Sequence, residues 1–150
     1  MGTIYWQKTT SRSGAVLFGS YPYPTNFMIS NAVEPIHVFR KAGKRQVSKE
    51  IKERSKVTLE EHRKFRGAIW NDINGVEDAH CAAFPVELPA RLIKMFSYVD
   101  DWILDPFLGS GSSMKAANDL DRNSVGIELN PDYLPGIQKK TGIKQTATPD

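Results

Sequence analysis

Cysteine is almost absent from this chain of 150 residues, which carries Cys81 alone. A single thiol closes no internal disulfide, so no oxidising compartment is implied and a reduced cytosol is the default. Long apolar runs are missing as well. No segment approaches the roughly 18 to 20 apolar residues that span a bilayer, and Met1-Gly2-Thr3-Ile4-Tyr5-Trp6 has no basic region leading into an apolar stretch, which argues against membrane insertion and a secretory signal. The histidines His37, His62 and His80 stand at no paired ligand spacing, so no metal site is expected. Neither Gly-x-Gly-x-x-Gly nor Gly-Lys-Ser/Thr occurs, which weakens pyrophosphate and nucleoside triphosphate readings. Internal repeats and low-complexity tracts are also lacking.

What is present suits one ordinary globular domain: 40% hydrophobic and 25% charged residues, enough to bury a core. The net charge is only +3, but it is unevenly spread. Residues 40–66 hold 11 basic and 4 acidic side chains, a net of +7, on a body that is net −4. A strip of this kind is a solvated face or a phosphate-binding surface.

Thr3 to Lys8 and Val33 to Arg40 read as strands, with Pro35 arguing for an edge, and together they suggest a hairpin with a long, turn-rich connection. Residues 41–57 are too polar for a core and read as a loop or a short exposed helix. Thr58-Leu59-Glu60-Glu61 is a capping box that predicts a helix over Leu59 to Arg66. Leu88, Leu92, Met95, Phe96 and Val99 recur at helical spacing after Pro85 and Glu87. Trp102-Ile103-Leu104 reads as a buried strand, Gly109 to Gly111 as a tight turn, Ser112 to Leu120 as a helix stopped by Asn123, and Val125 to Leu129 as a strand. This order makes a right-handed βαβ unit.

Asp105-Pro106-Phe107-Leu108-Gly109-Ser110-Gly111-Ser112 therefore falls at the carboxyl end of a strand and the mouth of a helix, where open α/β sheets bind ligands. Gly109 and Gly111 allow close approach of the backbone, and Glu128, 23 residues after Asp105, falls where an acid accepts both ribose hydroxyls of a nucleoside. A plain βα turn with a solvated acid would read the same way.

The residues also carry a family resemblance. Asp105 to Ser112, then Gly126-Ile127-Glu128-Leu129-Asn130-Pro131-Asp132-Tyr133, preceded by His80-Cys81-Ala82-Ala83-Phe84-Pro85-Val86-Glu87-Leu88-Pro89, resemble the β-group DNA amino-methyltransferases, whose permuted order puts the catalytic half before the cofactor half. The resemblance implies an α/β fold: a partial Rossmann-like methyltransferase sheet with a βαβ cofactor unit and an N-terminal β-hairpin. It implies S-adenosylmethionine as cofactor, held by Ala82, Phe84, Asp105, Phe107, Gly109, Ser110, Gly111 and Glu128. It also implies methylation of cytosine N4 or adenine N6 in double-stranded DNA, in a restriction-modification setting, by a cytoplasmic, nucleoid-associated protein. One incomplete domain is expected in three parts: a hairpin of the catalytic half (1–41), a basic target-recognition insert (42–79) and a cofactor half (80–150). Arg40, Lys41, Lys44, Arg45, Lys49 and Lys52 become candidate DNA contacts.

The family's catalytic Asp/Asn/Ser-Pro-Pro-aromatic motif has no counterpart, because no Pro-Pro dipeptide occurs in the 150 residues. No catalytic residue is assigned, and the strands bearing that motif would precede Met1. A partner chain carrying them, or association of copies through exposed sheet edges, is the expected consequence. Cys81 follows His80 and not proline, so it reads as an inert thiol.

Overall fold

The computed structural model describes residues 2–8, 33–75 and 83–143. The turn-rich connection, His80, Cys81, Ala82 and the C-terminal tail lie outside the described residues. The chain divides into two compact units, residues 1–41 with 67–76, and residues 42–66 with 77–150.

In the first unit, strand β1 (Thr3–Gln7) pairs antiparallel with β2 (Val33–His37), Ile4 opposite Ile36, and parallel with β3 (Ile69–Trp70), giving the order β2-β1-β3. The expected hairpin is therefore formed. Pro35 lies on the outer strand β2, where a missing amide breaks no ladder. β2 stops at His37 and does not run on to Arg40, although Val38 still donates to the Gly2 carbonyl at 2.9 Å. Alternation along β1 turns Ile4 and Trp6 inward and Tyr5 and Gln7 outward. Trp6, Trp70 and Ile73 are the most deeply buried large side chains, and the Trp6 indole donates to the Ile73 carbonyl at 2.8 Å.

The second unit begins with α1 (Lys49–Arg54), capped by Ser48, and α2 (Leu59–Phe65), where the Thr58–Glu61 capping box forms with both of its bonds. Glu61 also accepts from Lys94 at 2.5 Å. That ammonium, followed by the Thr58 amide, holds the Glu61 carboxyl below its ordinary range. Lys94 belongs to α3 (Glu87–Phe96), whose buried residues are Leu88, Pro89, Arg91 and Ile93. The expected stripe through Phe96 and Val99 is thus displaced: Phe96 is exposed, while Val99 is buried beyond the helix end, its amide bonded to Ser55 Oγ. An extended backbone at Ser97 closes the helix before Val99 can join its face.

Strand β4 (Trp102–Asp105), helix α4 (Ser112–Asp119) and strand β5 (Asn123–Gly126) form the expected βαβ unit, with β4 and β5 parallel and Leu104 opposite Val125. α4 packs Ala116 and Ala117 against Ile93 and Ile103. Its Met114 meets Leu108 and, on the last helix, α5 (Leu134–Thr141), Ile137. Two readings are corrected here. Asn123 opens β5 and does not stop α4; the helix ends at Asp119, and the chain reverses through Asp121, whose φ is +57°. The Arg122 guanidinium, buried under this reversal, donates to the Leu120 and Ser97 carbonyls. Burial lowers its pKa from the usual arginine value. Nor is β4 buried on both faces. Ile103 faces the helices, but Trp102 is 70% exposed and Leu104 64%, and Val125 and Ile127 are exposed as well. Among the described residues no helix is long and apolar enough to cross a membrane.

Replacing Trp6 by Phe keeps the ring but orphans the buried Ile73 carbonyl, so a loss of about 1–3 kcal/mol is expected in urea unfolding. Gln7→Ala, on the outward face, is expected to change stability by less than about 0.5 kcal/mol.

Candidate functional site

The residues after β4 are folded by their own amides. Asp105 Oδ1 accepts from the Phe107 amide at 3.0 Å, which turns the chain as it leaves the strand. Ile127 donates to the Asp105 carbonyl at 2.9 Å and Leu108 to the Ile127 carbonyl at 2.8 Å, so the parallel ladder outlasts the strands and lays the loop across the exit of β5. Leu108 then covers Gly126 so closely that a Cβ there would lie 2.6 Å from Leu108 Cδ2 and 3.0 Å from its Cγ.

Gly109 (φ +53°) and Gly111 (φ +83°) adopt the left-handed conformation that favours glycine. Gly111 is the cap of α4, whose start receives no side-chain cap bond. The Gly109 amide donates to Glu128 Oε2 at 2.7 Å and the Asn130 amide to Oε1 at 2.8 Å. Glu128 thereby ties the end of one strand to the loop after the other. Each of its oxygens keeps a lone pair beyond the amide it accepts, which is what a pair of vicinal hydroxyls requires. Ser112 Oγ donates to the Phe84 carbonyl at 3.0 Å, drawing the segment before α3 to the start of α4. The Phe107 ring is 89% exposed beside the loop.

Phe84, Asp105, Phe107, Gly109, Ser110, Gly111 and Glu128 are therefore linked by strand ends and hydrogen bonds into one region, while Ala82 lies outside the described residues. The basic strip is less uniform. Arg45 grips Asp101 through both of its terminal nitrogens and sits over the Tyr98 ring at 5.7 Å. The Arg45 hydrogen bonds hold the Asp101 carboxyl below its usual range, and Asp101 raises the pKa of Arg45 in return. Arg54 is likewise paired with Asp100 at 3.0 Å. Lys41, Lys44, Lys49 and Lys52 are exposed, and among the described residues no ion pair engages them. Arg40 is exposed too. No group of three or more His, Cys, Asp or Glu side chains is placed to hold a metal among the described residues.

A family model described as DNA methylase matches residues 1–139. The chain belongs to the DNA methylase family. It is 40% identical over 150 residues to the type II methyltransferase M.MjaI of Methanocaldococcus jannaschii, covering 95% of this chain and 49% of that one. It is 35% identical over 149 residues to the type II methyltransferase M.MthZI of Methanothermobacter thermautotrophicus, with 91% and 42% covered. TTHA0409 of Thermus thermophilus, a DNA modification methylase solved with S-adenosyl-L-methionine, superposes with a TM-score of 0.77 at 34% identity over 95% of this chain and 52% of its own. This methylase chain thus spans about half the length of the relatives it matches.

Three participants escaped the sequence reading. Leu108 and Ser112 stood inside the quoted motif without a role, and Lys140 stood in an ordinary basic helix end; yet Lys140 Nζ donates to Ser110 Oγ at 3.0 Å. Only the Gly-x-Gly signal hinted at the first two.

Gly126→Ala forces Leu108 out of its place between Met114 and Ile137, and overpacking of this kind costs about 1–3 kcal/mol. The expected outcome is a lower unfolding midpoint, and Leu108→Ala in the same background should recover part of the loss by making room for the new methyl group.

Proposed function

We propose that this chain is the cofactor-binding half, with a DNA-engaging strip, of an S-adenosylmethionine-dependent DNA amino-methyltransferase acting on cytosine N4 or adenine N6. The observation that carries the reading is the closure of the glycine loop by Glu128, which sets an acceptor-only carboxylate beside left-handed glycines and a helix start without a side-chain cap. Such a site fits a nucleoside with a small polar tail. The co-crystallised cofactor of the similar Thermus protein is in keeping with it.

Bound there, S-adenosylmethionine supplies an electrophilic sulfonium methyl group. The chain's own residues hold and orient. Glu128 takes the ribose hydroxyls, Gly109 and Gly111 keep the backbone clear of side-chain bulk, Phe107 presents its ring beside the loop, and Ser112 fastens the Phe84 segment. Acceptors for the target amine's protons come from the missing Pro-Pro motif, supplied by a partner chain. The bare face of β4–β5, with Trp102, Leu104, Val125 and Ile127 outward, supports a partner or a second copy of the chain. Arg40, Lys41, Lys44, Lys49 and Lys52 position duplex DNA through its phosphates, and Arg45 holds their segment to Asp101. A cytoplasmic, nucleoid-associated enzyme of restriction-modification follows from this reading.

A second reading, favoured by the absence of any Pro-Pro dipeptide, is a catalytically inactive remnant that binds cofactor or DNA. Calorimetric titration with S-adenosylmethionine tests the cofactor half: wild type binds, and Glu128→Ala weakens binding by about 10- to 100-fold. A folded wild type that binds no cofactor would sink the reading. Mixing with the N-terminal half of a related enzyme and labelled cofactor then separates the two readings, since label in duplex DNA rejects the remnant.

For the strip, replacing Lys41, Lys44, Lys49 and Lys52 together by Gln should weaken duplex binding. The slope of log K against log salt should flatten by about 0.9 for each phosphate that is no longer neutralised. An unchanged slope would place the DNA surface elsewhere.

A further inference from the structure

Lysine side chains in the half-buried class of this chain take carboxylate partners. Lys8 holds Glu34, Lys94 holds Glu61 and Lys115 holds Asp119. Lys140, similarly half-buried, is the exception. Among the described residues no carboxylate pairs with it, and its bond goes to a neutral hydroxyl, Ser110 Oγ, at 3.0 Å. A partly desolvated ammonium is stabilised far more by an anion than by a hydroxyl.

The direction of the hydrogen bonds adds to this. An ammonium only donates, so Ser110 must accept from Lys140, and its own proton is left for another acceptor. The nearest one in the chain is Ser112 Oγ, a long 3.4 Å away, and the Ser112 proton is already given to the Phe84 carbonyl at 3.0 Å. Ser110 therefore offers a polarised O–H, backed by a positive charge, within the glycine loop.

We infer that Lys140, acting with and through Ser110, is the positioning residue that recognises the carboxylate of the cofactor's amino-acid end. The inference rests on the cofactor reading above and adds a specificity to it: the site distinguishes a nucleoside bearing an anionic tail from one without it. Glu128 reads the ribose at one end of the loop, and the Lys140–Ser110 pair reads the tail at the other.

The test compares two ligands. S-adenosylmethionine carries the carboxylate, whereas 5′-methylthioadenosine keeps the nucleoside and lacks the amino-acid end. Calorimetric titration of wild type, Lys140→Gln and Lys140→Arg is expected to show about a tenfold loss for S-adenosylmethionine in the Gln variant, little change for 5′-methylthioadenosine, and recovery of most of the loss in the Arg variant. An equal loss for both ligands would make Lys140 a purely structural tie and overturn the inference, as would no loss for either. A folded wild type that binds neither ligand overturns the cofactor reading itself, and this inference with it. Circular dichroism of each variant checks that the chain is folded, and Ser110→Ala, which removes the relay without touching α5, should reproduce the ligand-selective loss if Lys140→Gln proves unstable.

Discussion

The side chain of Leu108 rests on the bare backbone of Gly126, and much of the second unit follows from that contact. It presses the loop after β4 onto the exit of β5, so that two parallel strands, otherwise related only by their ladder, come to share one surface. With the loop down, the Gly109 amide reaches Glu128, Gly111 caps α4, and Met114 and Ile137 close over Leu108 from the side. Burial of a leucine contributes about 1.5–3 kcal/mol, but its importance here is geometric: it fixes where a carboxylate and two glycines stand relative to each other.

The βαβ unit was legible because its signals are local. A glycine pair after an apolar run, an acid after the next, and the Thr58–Glu61 capping box each act within a few residues of chain. Failures came where the deciding partner is remote in sequence. Asn123 looked like a helix stop because asparagine suits such positions, but Asp121 takes the left-handed turn and buried Arg122 braces it against Ser97, 25 residues earlier. Val99 fitted a helical stripe, yet its amide goes to Ser55, 44 positions away. Arg45 counted as one more charge of a basic strip until Asp101, 56 positions on, claimed it. Lys140 could not be linked to Ser110 from spacing, since the helix that carries it arrives from beyond β5.

The exposure of β4 has a related origin. An alternating strand normally hides one face, and Ile103 does so against α3 and α4. Trp102 and Leu104 instead point away from every helix of the unit, and the run Trp-Ile-Leu carried no pattern to show that half of it would face outward. The glycine loop is complete within the chain; the apolar cover of the strands that position it is not. Family membership with coverage of about half of each relative fits that division.

Arg45 turns Asp101, immediately before β4, into an anchor for the segment that carries Lys44, Lys49 and Lys52. The strand that begins beside this anchor ends at Asp105, the residue that turns the chain into the glycine loop. A pull on the basic segment is thus delivered to the near end of a short, stiff rod whose far end bears the loop. Force, and not only proximity, joins the two surfaces.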